Sequence, residues 1–460
     1  MDLTSNRWQD VVGQFPQLKT YNHGLMIFPL NDGISEESVV DELRTALARV
    51  VAAVPWLSER VVGHVLDTIS SATFNTVPWA ENVRGAKQLY VKDLKDACAS
   101  FETISRAGGP VSLLDGNILC PFPGFPLSYD EEKIGPAPVV AVQASLIKGG
   151  LILCLSNQHN LMDATGVFAF ATLLATAMSP DGIPEHLISQ AMIDRSRVIP
   201  LLDPGQPVRD HSHYFKKIAS SQQNQPLSSS AKWCLFRISQ RSAAEIEAAA
   251  SDPLDFDPAI SHISTNDALC AFYWKRLAAI RLSNGSASRH STSKFLRAID
   301  ARSAVGQPQG YMGQMIYHAA TSFTFGELVD DEDLSLSALA SRMRVDLNES
   351  NNEWAVRSYA TFLAGVPDKS QLLYGGGLDL NLDVGSSAMT HRSTASGHFG
   401  ILGKPALVRR PDLTPVPSML YFFPPDTESA QLPVLVCLNE PDLTGLRADP
   451  EWNHYAEFIG

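Results

Sequence analysis

The sequence predicts a mixed α/β chain in two lobes, and three observations carry that reading. First, the unbroken apolar run Leu151 to Leu155 predicts a strand buried on both faces. Pro138 to Gln143 precedes it through the hairpin signal Lys148-Gly149-Gly150, so an antiparallel pair is expected here. Second, after Asp163 the apolar residues Val167, Phe168, Phe170, Leu173, Leu174 and Met178 recur at helical spacing, with Asp163 as N-cap. Third, the strand-then-helix order starts again at Trp233, while the stretch from about Pro180 to Ser230 loses its periodicity and ends rich in Ser and Gln. These features divide the chain into a first lobe over 1–200, a crossover linker over 201–231 and a second lobe over 232–460.

The remaining elements follow in order. Gly24 to Pro29 is strand-like, and Ser35 to Val54 has apolar residues at helical intervals with Glu36 and Glu37 at its positive end. In the second lobe Trp233 to Ile238 predicts a strand and Gln240 to Ala250 an Ala-rich helix. Ser264 caps a longer helix reaching Leu282. Phe295 to Asp300 is strand-like, and Leu334 to Leu347 is amphipathic.

Composition narrows the function classes. The chain has 460 residues, 45% of them hydrophobic and 18% charged, enough for a large core. A formal charge of −13 argues against nucleic-acid partners, which need an excess of Lys and Arg on one face. No leader pattern and no run of about 20 apolar residues is present, so a cytoplasmic protein without a membrane span is expected. The six cysteines are scattered, and neither disulfides nor zinc are implied. Asn284-Gly-Ser286 and Asn348-Glu-Ser350 are read as chance matches to a glycosylation acceptor. Gly375-Gly-Gly377 lacks the Lys-Ser/Thr of a phosphate loop and reads as a flexible loop. His211 and His213 fall in the linker, where solvated side chains are the default.

His159 lies in the connection between the Leu151 strand and the Asp163 helix. Scaffolds carry reactive side chains at such connections, and neutral imidazole is well matched to taking a proton near pH 7. Taken alone, a His-x-x-x-Asp string also fits a loop histidine and a plain helix cap. No second His or Cys cluster completes a tetrahedral set, so no metal is expected at this site.

His159-Asn-Leu-Met-Asp163 with Gly166 resembles the His-x-x-x-Asp signature of the BAHD acyltransferases, particularly their fungal members. Other segments agree in order and spacing. Pro55-Trp-Leu-Ser-Glu-Arg60 resembles Pro-x-Leu-Ala-Gly-Arg, and Ser264 to Trp274 resembles the family's Ser-Thr-x-x-Ala-Leu-x-Ala-x-x-Trp helix. Asp300-Ala-Arg302 with Gly310-Tyr-Met-Gly313 resembles the Asp-x-Arg and Gly-Tyr-x-Gly-Asn pair, and Phe399-Gly-Ile-Leu-Gly-Lys-Pro405 resembles the tail of Asp-Phe-Gly-Trp-Gly-Lys-Pro. The resemblance implies a two-lobed chloramphenicol acetyltransferase-like fold with a tunnel between the lobes. It further implies acyl-CoA as co-substrate, no permanently bound cofactor, a small-molecule acceptor bearing a hydroxyl or amine, and a monomer.

On that reading His159 and Asp163 form the catalytic motif, with His159 as general base and Asp163 holding the loop through an arginine. Ser386 and Ser387 are candidates for contact with the thioester and its oxyanion, and Lys404 and Arg409 for contact with CoA. Arg392, Lys404, Arg409 and Arg410 make the densest basic cluster. Arg302, His398, Gly400 and Gly403 are the structural set. The chain departs from the family at three places: His398 stands where an Asp precedes Phe-Gly, Ser386-Ser387-Ala388 replaces Thr-Ser-Trp, and Gln314 replaces the Asn. In the family that Asp pairs with the arginine of Asp-x-Arg. Arg302 is therefore expected to lack its partner and to need another carboxylate, Asp300 or Asp383. Three other readings stay open: a CoA-independent cyclase or isomerase using the same base, a free-standing condensation enzyme, and a binding protein on the same scaffold.

Overall fold

The computed structural model describes residues 10–31, 33–64, 73–79, 88–216, 230–390, 397–427 and 429–460. Gly150–Gln158 is buried at every position and lies at the centre of a five-stranded sheet. Its antiparallel neighbours are Val140–Ile147, joined by the expected tight turn with Gly149 at φ 73°, and Tyr21–Pro29. Leu89–Asp93 adds in parallel beyond Val140–Ile147. The helix Ala164–Ala177 covers one face, where Phe170, Leu173 and Leu174 pack with Val39, Leu43 and Val50 of the helix Glu36–Ala53.

The second sheet has seven strands, in the order Ile316–Thr324, Thr292–Asp300, Val384–Ala388, Met419–Phe422, Leu432–Leu438, Lys232–Ile238 and Ala456–Phe458. The helix Thr265–Ser283 packs on it and starts with a full capping box, Ser264 and Asp267 exchanging hydrogen bonds. A three-stranded sheet of Arg60–His64, Thr73–Val77 and Ala137–Pro138 completes the first half.

Two features join the lobes where the sequence divides them. The Phe399–Pro405 segment, expected in the second lobe, crosses back: Leu407–Arg409 adds to the edge of the first sheet beside Tyr21–Pro29, and Phe399 packs edge-on against Phe28 at 5.4 Å. The expected linker is also more ordered than its composition indicates over its first part. Leu202 is buried, and Tyr214 stacks near Tyr359 at 5.1 Å, in a cluster that also holds Phe15, Leu18, Tyr311 and Tyr317. Each such fully buried aromatic contributes roughly 1.5–3 kcal/mol. Residues 217–229 of the linker lie outside the described residues. His211, expected in solvent, is buried with Nε2 3.1 Å from Ser358 Oγ, whereas His213 is exposed.

Gly166 sits where the first lobe's helix meets the second lobe. A Cβ there would lie 2.3 Å from the Met312 carbonyl oxygen, which is backbone and cannot swing aside. Gly166→Ala is expected to destabilise the fold by about 1–3 kcal/mol, read as a lower midpoint in equilibrium urea unfolding.

Candidate active site

The Leu151 strand ends in a turn fastened on both sides. His159 donates its backbone N–H to the Thr20 carbonyl at 2.8 Å, and the Asn160 side chain donates to the Gly13 and Phe15 carbonyls at 2.7 and 3.1 Å. Asn157 donates to the Met162 carbonyl at 2.9 Å, and Asp163 then caps the helix by accepting the Gly166 N–H at 2.9 Å. The imidazole is thereby held in place by backbone on either side of it.

The ring of His159 is half-buried and lines a cavity of about 410 Å³ walled by both lobes. Its first-lobe wall includes Tyr21, His23 and Phe125, and its second-lobe wall includes Leu296, His318, Tyr374, Ser386 and Met419. Gln314 reaches in from the second lobe, its amide nitrogen 2.6 Å from Nδ1 and donating to the His159 carbonyl at 2.5 Å. Nδ1 thus faces protein, and Nε2 is the nitrogen left for a ligand. Burial pushes the imidazole pKa below its ordinary value, against the opposing pull of the Asp163 charge and of backbone carbonyls at His159 and Met162. The ring is neutral near pH 7, as a base must be.

Asp163, grouped with His159 as catalytic on sequence grounds, turns both oxygens away from the imidazole. They accept from Arg302 at 2.8 and 2.9 Å, from the Gly166 N–H, and from the Met315 N–H at 3.0 Å. Arg302 is fully buried and all five of its donors are engaged: two on Asp163, one on Asp300 at 2.8 Å, and two on the carbonyls of Tyr311 and Gly313. Arg302 thus finds other carboxylates in place of the family's, as the sequence reading expected. Asp300 does contribute, as expected, but Asp383 does not; its carboxylate accepts from the backbone of Lys294 and Asp379. His398 is exposed and takes no part in this pairing.

The other candidates divide. Ser386 and Ser387 both line the cavity. Arg409 lines it too but is buried and paired side-on with Asp426 at 2.6 and 2.9 Å, with further bonds to the Gly108 and Gly109 carbonyls, so its charge is neutralised within the protein. Lys404 is exposed and is not among the lining residues, and Arg392 lies outside the described residues. Arg410 differs: it lines the cavity, lies over the Trp233 ring at 4.2 Å, and has no ion pair among the described residues. Gly400 and Gly403 have positive φ, 47° and 70°, in the turn that seats Phe399, in keeping with their structural assignment.

Sequence reasoning missed His23, His318 and Tyr374 as cavity residues. His318 has no local signal, being one position of a strand; burial and Lys294 push its pKa down to about 3, so it is neutral. Gly375, read as part of a flexible loop, is a cavity-wall turn at φ 74°, and a Cβ there would lie 3.0 Å from Leu296 and 3.4 Å from His318. The run of three glycines was the available signal.

Two family models match: a trichothecene 3-O-acetyltransferase-like N-terminal domain over residues 20–178 and the transferase family over residues 125–453. The chain is 42% identical to the O-acyltransferase pigD of Monascus ruber, with 99% of each chain covered. It is 36% identical to the O-acetyltransferase azaD of Aspergillus niger over 99% of this chain and 97% of that one. Among solved structures, F. graminearum TRI101 complexed with coenzyme A and deoxynivalenol superposes with a TM-score of 0.89 at 30% identity, covering 98% of this chain and 99% of that one.

Removing one member of the Asp163–Arg302 pair strands the other in a dry site. Arg302→Met is expected to cost about 3–5 kcal/mol in equilibrium denaturation, several times the loss from replacing an exposed arginine such as Arg241.

Proposed function

The chain belongs to the BAHD transferase family and is an acyl-CoA-dependent O-acyltransferase, and on that footing we propose that His159 is its general base and that the acceptor is a hydroxyl of a small, largely apolar natural product. The observation that carries this reading is the half-buried imidazole itself. It is anchored at Nδ1, held neutral by burial, and set in a cavity to which both lobes contribute.

A hydroxyl is too weakly acidic to ionise first, so its proton must leave as the bond forms. Acting through Nε2, the ring nitrogen turned away from Gln314, His159 takes the hydroxyl proton while the oxygen attacks the thioester carbonyl. The resulting imidazolium is stabilised by the Asp163 charge behind it. The tetrahedral oxyanion needs a donor, and the Ser386 and Ser387 hydroxyls are our candidates. Collapse expels the CoA thiolate, which recovers the proton from His159. No acyl-enzyme intermediate is needed. For the anionic co-substrate we assign Arg410, which has no carboxylate partner among the described residues, in place of Arg409.

Leu296, Ile316, Met389, Met419 and Phe423 give the cavity an apolar lining suited to a polycyclic acceptor. The six cysteines are all free thiols, which fits the cytoplasm as the place of reaction, and one chain supplies both walls, which fits a monomer. No described helix is long and apolar enough to cross a membrane. The thioester-free cyclase reading loses ground, since the structural relative is complexed with coenzyme A together with deoxynivalenol.

Purified protein supplied with acetyl-CoA or longer acyl-CoAs and a panel of polycyclic alcohols is expected to release thiol in step with acylated product. His159→Ala is expected to lower kcat/KM by about 10²–10⁴-fold with little change in Tm. Undiminished product formation by that variant, or conversion of the acceptor without thioester, would refute the assignment. The pH profile is a second check. Because the working form is the neutral ring and its pKa is depressed, kcat/KM should be flat through neutrality and fall only below the ordinary imidazole range. An acid limb at or above that range would contradict the burial argument.

A further inference from the structure

Behind the first-lobe wall of the cavity, three metal-ligating side chains converge. Cys154, on the Gly150–Gln158 strand, has its Sγ 3.7 Å from Cys120 Sγ and 3.8 Å from His23 Nδ1. One ligating atom from each of the three residues lies within 4.8 Å of the others. Ser156 Oγ stands beside them, 2.8 Å from His23 Nδ1 and 3.5 Å from Cys154 Sγ. Bonds of about 2.3 Å to sulfur and about 2.0 Å to nitrogen at tetrahedral angles give edges of about 3.8 Å for S···S and about 3.5 Å for S···N. Two edges of the cluster are already close to that size.

We propose that Cys120, Cys154 and His23 form a reversible binding site for a thiophilic divalent cation of the Zn²⁺ class in the wall of the cavity. Two thiolates and an imidazole are a donor set that favours such ions over Mg²⁺ or Ca²⁺. The fourth position falls to water or the Ser156 hydroxyl. Binding forms two metal–sulfur bonds and one metal–nitrogen bond and releases two thiol protons, with no change of oxidation state. His23 Nε2 is buried and without a hydrogen-bond partner among the described residues, so the polar contacts of the ring are those of Nδ1 with Ser156 and Cys154. Entry has two sides, since Cys120 lines a surface groove of about 680 Å³ with Gly124 and Trp233 while His23 lines the cavity. A bound ion would couple metal availability to the shape of the cavity through the His23 ring.

The test is an anaerobic titration of the full chain, thiols reduced, with Co²⁺ and then Zn²⁺. The expected result is one saturable Co²⁺ site with thiolate-to-metal charge transfer and tetrahedral visible bands, formed with release of two protons per ion and displaced by Zn²⁺ without further proton release. Cys154→Ala, Cys120→Ala and His23→Gln should each weaken binding by about tenfold or more, and Cys234→Ala and Cys98→Ala should not. In the unsubstituted protein Zn²⁺ should protect Cys120 and Cys154 from alkylation, which decides the matter if a core cysteine variant fails to fold. Absence of saturable binding, an octahedral cobalt spectrum, or alkylation of these two thiols unaffected by Zn²⁺ would overturn the proposal.

Discussion

One buried guanidinium holds the His159 turn against the opposite lobe. Arg302 belongs to the second half of the chain, Asp163 caps the helix that begins five residues after His159, and neither is accessible to solvent. Taking both charges out of water is costly, and the cost is offset only because every donor of Arg302 and both oxygens of Asp163 find partners. The same constellation ties together the helix cap, the Asp300 strand end and the Tyr311–Gly313 backbone. The position of the imidazole relative to the second-lobe wall follows from it, and so does the reach of Gln314 to Nδ1.

Much of this was legible in the sequence wherever the determinant was local. The hairpin through Gly149, the Asp163 cap, the Ser264 capping box and the helical periodicities depend on neighbours a few residues apart, and each is present. What escaped was partner choice across long separations. The sequence named Asp300 or Asp383 as the carboxylate for Arg302; Asp300 is there, but the bidentate partner is Asp163, 139 residues away. Arg409 was a candidate for contact with CoA because it falls in the densest basic cluster, and nothing in the string says that Asp426 neutralises it. His23 and His318 enter the cavity from strands of different sheets, so only the assembled walls reveal them.

The same point bears on the net charge of −13. Several arginines are engaged inside: Arg281 with Asp442, Arg297 and Arg344 with Asp267, Arg276 with Asp449. These pairs tie helices to strands and leave little free positive charge for an anionic co-substrate. A half-buried Arg410 stacked on Trp233 is therefore a more informative group than a count of basic residues.

The short strand Leu407–Arg409, contributed by the C-terminal half to the N-terminal sheet, makes the two halves a laced pair. Separated from the second half, the first sheet loses this edge strand, so the chain is not a union of two modules that recombination could exchange. The lacing strand and the Arg302 constellation both tie one half to the other, so the slot between the sheets is braced at two independent places. Divergence in acceptor preference on this scaffold then proceeds by repainting the slot's walls, one side chain at a time, while the frame itself is inherited whole.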